Sequence, residues 1–201
     1  MEKWHTVRSW ALSNKFEIEL GAAKGLKCPI TMVSWYDTLK WCNAKSLMDG
    51  LEPVYAVLGK SNYYSRGDFG SEDSYKIIQN PKATGYRLPC EGEWEWAASG
   101  GLKSQGYIFS GSNNLDPVGW YRENANGQVH PVGEKLANEL GLYDMSGNVW
   151  EWCWDANYSG RRIRGGCWSY DEDVCAVSFR RICFPDYRSD RVGFRVARTM
   201  Q

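Results

Sequence analysis

The sequence predicts an α+β fold, with two short helices followed by short strands and long loops. Three observations carry this expectation. Helical spacing of apolar residues occurs in only two segments, both before residue 101. From residue 102 to 201, Gly, Pro and Asn recur every few positions and no helical period is sustained. Two helices followed by irregular β structure then point to α+β. The 201 residues suit one domain, 1–201, with one sizeable core; no repeat, low-complexity tract or linker divides them.

The first helix falls between Thr31 and Leu47. Ser34 supplies an N-cap, and Trp35, Leu39 and Cys42 follow at i, i+4 and i+7, on one face. Residues 49–85 mix Gly, Ser, Asn, Asp and Tyr, with one short apolar run, Val54 to Leu58, that reads as a strand among long loops. Pro89 opens the second helix, and Gly100-Gly101 stops it. Trp94, Ala97 and Ala98 form its apolar face. Glu91, Glu93 and Glu95 read as solvated partners of the helix dipole rather than as catalytic acids. Further on, Gly147-Asn148 is a turn dipeptide. Trp150 and Trp152 flank Glu151, so both indoles share one face of a strand. Gly165-Gly166 permits positive φ or close backbone approach before Trp168. Arg195, between Phe194 and Val196, alternates away from the core, either into an ion pair or to the surface.

Charge excludes some functions. Lys plus Arg and Asp plus Glu both number 24, so nothing draws the chain toward nucleic acid or anionic membranes. No apolar run reaches transmembrane length, and residues 1–25 carry no signal-peptide pattern. The 11 Trp and 12 Tyr suit both cores and binding surfaces. Seven cysteines leave at least one unpaired in a monomer. There is no CxxC, and His5 and His130 are far apart, which argues against zinc.

Four segments, in order, carry a family resemblance. They are Pro29 to Asp37 with Trp41-Cys42; Tyr86 to Ala98; Gly141 to Trp152; and Arg164 to Trp168 with its close, Val192 to Val196. Together they resemble the formylglycine-generating-enzyme (sulfatase-modifying factor) family. The resemblance implies a C-type-lectin-like fold of that type: two helices with small antiparallel sheets and an elaborate loop region. Enzymes of this family hold copper with two cysteines five residues apart, shortly after the Gly-Gly-x-Trp/Tyr segment. Soft thiolates at that spacing suit Cu(I). Here the second position matches Cys175, but the first is Tyr170, which supplies no thiolate. Cys167 and Cys183 each lie eight residues from Cys175 and do not restore the spacing. The family's iron-dependent sulfoxide chemistry needs more histidines than the two present. A non-catalytic protein is therefore expected, with no catalytic residue and no required cofactor. Cys175 and Cys153 read as small buried apolar residues. The resemblance also implies a structural calcium site at the turn carrying Asn148 and Glu151, whose oxygens suit that ion. The alternative is that Asn148 shapes the turn while Glu151 is solvated or paired.

The segment at about 155–195 is the least like a scaffold. Between Trp168 and Gly193 it sets Ser169, Tyr170, Asp171, Asp173, Phe179, Arg181, Ile182, Phe184, Tyr187, Ser189, Asp190 and Arg191 side by side, without a strand or helix period. An exposed loop has no folding reason to carry Phe, Ile and Tyr, whereas a recognition surface does. The composition resembles the variable proteins of diversity-generating retroelements. In these, adenine-directed mutagenesis rewrites the last part of a lectin-like domain into residue types that exclude Lys, Gln, Glu, Met and Trp. From 169 to 191 only Glu172 is of an excluded type. These twelve residues are the expected ligand-binding set, with Phe179 and Ile182 the two that could equally pack inward. The expected partner of this monomer is a protein or other macromolecule. The expected location is extracellular or at the cell surface, with any leader outside these 201 residues. The alternatives are a lectin-like domain with a fixed ligand and a copper-dependent formylglycine-generating oxidase.

Overall fold

The computed structural model describes residues 2–58, 63–65, 76–157 and 160–199. It contains one helix more than the sequence pattern indicates. Helix α1 (Glu2–Ser13) buries Trp4, Val7 and Ala11, a three-residue stripe among polar neighbours. Trp4 stacks on Trp41 at 6.1 Å between ring centroids, and Phe194 meets both indoles edge-on at 5.9 and 5.4 Å. Packing of this kind holds a short helix that would be marginal alone.

Helix α2 (Trp35–Met48) begins as expected. The Ser34 hydroxyl accepts from the Asp37 N–H at 3.2 Å, and the Asp37 carboxylate accepts from the Ser34 N–H at 3.0 Å. This reciprocal cap satisfies two of the first-turn donors. The helix is buried almost all round and runs through the core. Asn43, buried on it, holds β1 (Tyr55–Val57): its amide donates to the Tyr55 and Tyr64 carbonyls and accepts from the Tyr55 N–H. Strand β1 pairs antiparallel with β2 (Ile77–Gln79).

Strand β3 (Tyr86–Arg87) leads into helix α3 (Glu91–Ala98), whose N-cap is Cys90. Glu91 and Glu93 stand in the first turn as expected, but all three glutamates also hold arginines. Glu93 closes the capping box and pairs with Arg87 at 2.6 Å. Glu91 lies 3.3 Å from Arg162, and Glu95 pairs with Arg164. The cause is long-range: Arg162 and Arg164, far along the chain, are brought over the helix start.

The main sheet has the order β6-β5-β4-β7, formed by β4 (Trp150–Asn157), β5 (Gly160–Arg164), β6 (Arg180–Cys183) and β7 (Val192–Phe194). Pairing is antiparallel except between β4 and β7, which run parallel. Strand β8 (Ala197–Arg198) pairs with β3 and ties residue 198 to the middle of the chain. Trp150 and Trp152 are buried as their alternation requires, and the Trp152 indole donates to the Val33 carbonyl at 3.0 Å. Part of the segment read as loop is in fact strand β6, with Ile182 in it, and Glu172–Cys175 forms a 3₁₀ turn. Strand β6 sits at the sheet edge with both faces open, so burial imposes no alternation on it.

Candidate binding face

The chain from Gly165 to Val192 is held by its backbone and by residues outside the exposed set. Main-chain bonds run from Gly147 N–H to Gly165 O, from Trp168 N–H to Asn148 O, from Arg122 N–H to Tyr170 O, and from Val177 N–H to Ile108 O. Further along, Trp35 N–H donates to Pro185 O, Met32 N–H to Ser189 O, and Trp150 N–H to Arg191 O. Gly166 has φ +74, and a Cβ there would sit 2.8 Å from the Cys175 Cα and 2.5 Å from its sulfur. Only glycine admits both the left-handed backbone and that contact.

Arg164, fully buried, is the main side-chain anchor. Its guanidinium donates to the carbonyls of Val177 (2.9 Å), Ser178 (3.2 Å) and Phe179 (2.8 Å). The same group pairs with Glu95, lies 3.5 Å from Glu91 and covers the Trp94 ring at 5.3 Å. One planar fork thus fixes a turn by its carbonyls, whatever side chains the turn carries. Asp37 adds a second anchor by pairing with Arg188.

Six of the twelve expected residues surround one cavity of about 320 Å³: Tyr170, Arg181, Ile182, Phe184, Tyr187 and Arg191. Ile182, Phe184 and Tyr187 are 40%, 60% and 45% exposed, so their apolar atoms face water. The floor is Trp150, Ile163 and Val192, all buried. The Tyr170 hydroxyl accepts from Arg181 at 2.7 Å, and its ring meets Trp150 edge-on at 6.0 Å. Gly160 also lines the cavity, and a Cβ there would lie 2.1 Å from the Ile182 Cγ2. Sequence reading missed Gly160 and the floor; the glycine beside an exposed strand is the one local signal.

The other six are placed differently. Asp171 is exposed but outside the cavity, paired with the equally exposed Arg122 at 2.7 Å. Asp190 is exposed next to Arg191, 3.8 Å from its Nε. Asp173 accepts from the Val174 N–H, Ser169 lies 3.4 Å from the Cys167 sulfur, and the Ser189 hydroxyl accepts from the Arg191 N–H. Phe179 takes the inward of the two placements open to it: it is half-buried and packs on Trp150 at 6.0 Å, whereas Ile182 is exposed.

Asn148 and Glu151, the residues expected at a calcium turn, have their side chains engaged by protein partners. Both Glu151 oxygens are already bonded: Oε2 accepts from Trp94 Nε1 at 2.6 Å and from Arg195 Nε at 2.5 Å, and Oε1 accepts from Arg195 Nη2 at 2.7 Å. The Asn148 amide is spent on both backbone groups of His130, at 3.1 Å each. A cation beside the Arg195 guanidinium would meet like charge. Asn148, at φ +62, shapes the turn, and Glu151 is the partner that Arg195 requires.

The thiol chemistry is also distinct from that of a copper pair. Cys175 is fully buried, and burial pushes its thiol up to about 12. At the position of the first family cysteine stands the Tyr170 phenol, engaged with Arg181. Cys153 is buried too, with its thiol raised by desolvation.

Fold and face together define a C-type-lectin-like scaffold whose C-terminal loops carry an exposed, partly apolar surface. The chain belongs to the sulfatase-modifying factor enzyme 1-like domain family, whose model matches residues 4–200. It is 38% identical to the chaperone protein LppX of Paenibacillus barcinonensis over 78% of this chain and 64% of that protein. It is 39% identical to the inactive C-alpha-formylglycine-generating enzyme 2 of Bos taurus, over 56% of this chain and 44% of that one. Against the formylglycine-generating enzyme of Thermomonospora curvata the identity is 33%, over 56% and 49%. The chain thus spans less than two thirds of these curated relatives. Among solved structures, Treponema denticola variable protein 1 superposes with a TM-score of 0.79 and 30% identity, covering 96% of this chain and 80% of that one. No helix among the described residues is long and apolar enough to cross a membrane.

Proposed function

We propose that this protein is a non-catalytic binding protein that displays a diversified surface on its lectin-like scaffold. The carrying observation is the separation of roles in residues 165–192. Backbone hydrogen bonds, Gly166 and Arg164 fix the path, while Ile182, Phe184 and Tyr187 stand exposed around a cavity without serving the core. Such a surface tolerates change in its exposed side chains, and exposed aromatics and arginines are what recognition uses. A relative named as inactive, another named as a chaperone and a structural neighbour named as a variable protein support a non-catalytic role. The ligand is a protein or other macromolecule rather than nucleic acid, met by a monomer outside the cell.

The test is genetic. In a growing population, codons for Tyr170, Phe184, Tyr187 and Arg191 should differ between copies, while those for Arg164 to Gly166 and Gly193 to Arg195 stay constant. A reverse-transcriptase gene and a near-copy of the segment coding 155–195 should lie nearby. A segment invariant across populations, with neither neighbour, removes diversification and leaves a fixed-ligand domain. Copper-dependent oxygen consumption with a cysteine peptide, above the buffer rate, would remove the non-catalytic reading.

A further inference from the structure

Resting on the binding-face reading, we infer that the cavity over Trp150 takes an aromatic side chain flanked by carboxylates, presented by an acidic segment of a protein ligand. The floor supplies the aromatic half of this specificity. Trp150, Ile163 and Val192 are buried and offer ring and methyl surface, and Phe184 and Tyr187 stand at the edge. A cavity of about 320 Å³ lies at the low end of the roughly 300–1,000 Å³ range of ligand sites. It suits one large side chain.

The edge supplies the charge. Arg181 and Arg191 line the cavity, and no Asp or Glu does. Arg191 has one weak counter-charge, Asp190 at 3.8 Å, with both groups in water. Arg181 is held by a neutral group: Nη1 donates to the Tyr170 hydroxyl at 2.7 Å, and the guanidinium carbon lies 5.7 Å from that ring. Tyr170 thereby orients the fork, and among the described residues no ion pair engages its charge. A planar guanidinium with free donors recognises a carboxylate in a bidentate way. A cationic ligand would gain ring contacts but meet two arginines, and the surplus positive charge decides against it.

Calorimetry with acetylated, amidated pentapeptides tests this. One peptide carries a central phenylalanine between paired acidic residues, a second replaces the phenylalanine by alanine, and a third replaces the acids by lysines. The first should bind with Kd below about 1 mM, and the others at least tenfold more weakly. Arg181→Gln should weaken the first peptide at least fivefold without moving the melting temperature, because Arg181 is exposed. Tyr170→Phe should weaken it less, since it removes the orienting hydroxyl and keeps the charge. Equal binding of the lysine peptide, or no effect of Arg181→Gln while Phe184→Ser abolishes binding, overturns the charge preference and leaves the binding face standing. Peptide binding indifferent to Phe184→Ser and Tyr187→Ser overturns both.

Discussion

Arg164 shows why a buried cation is kept where an apolar residue would pack. Its two Nη groups reach three consecutive carbonyls, Val177 to Phe179, together with Glu95. Arg164→Leu leaves those carbonyls and carboxylates unmatched and should cost about 3–5 kcal/mol in denaturant unfolding. Arg164→Lys should cost less, because it keeps the charge but not the fork. A leucine variant as stable as wild type would show that the turn is held by other contacts. The buried thiols set a pH limit. Burial raises Cys42, Cys153 and Cys175 above the ordinary thiol value, Cys175 to about 12. Unfolded thiols ionise first, near about 8.5. Stability is therefore full below that pH and falls as pH rises toward the folded values, by about 1.4 kcal/mol per pH unit per thiol. Unfolding at pH 8, 9 and 10 should show this decline, and Cys175→Ala should flatten it by about one proton. Within 169–191, Phe184 and Tyr187 are exposed as their place in a loop-rich stretch suggested, while Tyr170 and Phe179 are half-buried against Trp150, a contact no local spacing announces. The partners of Glu151 were not legible either. Trp94 and Arg195 approach it from 57 and 44 residues away, and no local spacing announces such pairs.

At the scale of elements, legibility followed the strength of the local signal. Helix α2 carries a capping Ser34 and an apolar period and stands where they put it; α3 has its apolar face and glycine stop, but it starts at Glu91 with Cys90 as cap, two residues after the Pro89 expected to open it. Helix α1 carries only Trp4, Val7 and Ala11, and its place depends on Trp41 and Phe194 from distant elements. Strand β6 was hidden because neither of its faces is buried. Strand β4 is the opposite case, since Trp150 and Trp152 enter the core together. Trp152→Ala should therefore cost about 3–5 kcal/mol as a large core truncation. Trp96, 55% exposed on α3, is the control: Trp96→Ala should change stability by roughly 0.5 kcal/mol. Equal losses in the two variants would contradict the burial of β4.

The whole molecule separates a rigid body from a surface, and that division makes its function testable without knowing the ligand. Replace Tyr170, Asp171, Phe184, Tyr187, Asp190 and Arg191 by serine together. Phe184, Tyr187, Asp190 and Arg191 are exposed, and each should change stability by no more than about 0.5 kcal/mol. Asp171 gives up an exposed pair with Arg122, worth about 0–1 kcal/mol. Tyr170 gives up its edge contact with Trp150, worth about 0.5–1.5 kcal/mol beyond its buried area. The sum is a few kcal/mol at most, so the variant should melt cooperatively, several degrees below wild type. If these side chains instead formed core, the three aromatics alone would cost about 3–5 kcal/mol each. That loss would be comparable to the total stability of an ordinary domain, about 5–15 kcal/mol. The same variant should lose binding of the acidic phenylalanine peptide, because it removes Phe184, Tyr187 and Arg191 from the cavity edge while Arg164 and the backbone bonds still hold the loop. A folded variant that binds the peptide as wild type does would place recognition elsewhere on the molecule. An unfolded variant would show that the segment serves the fold.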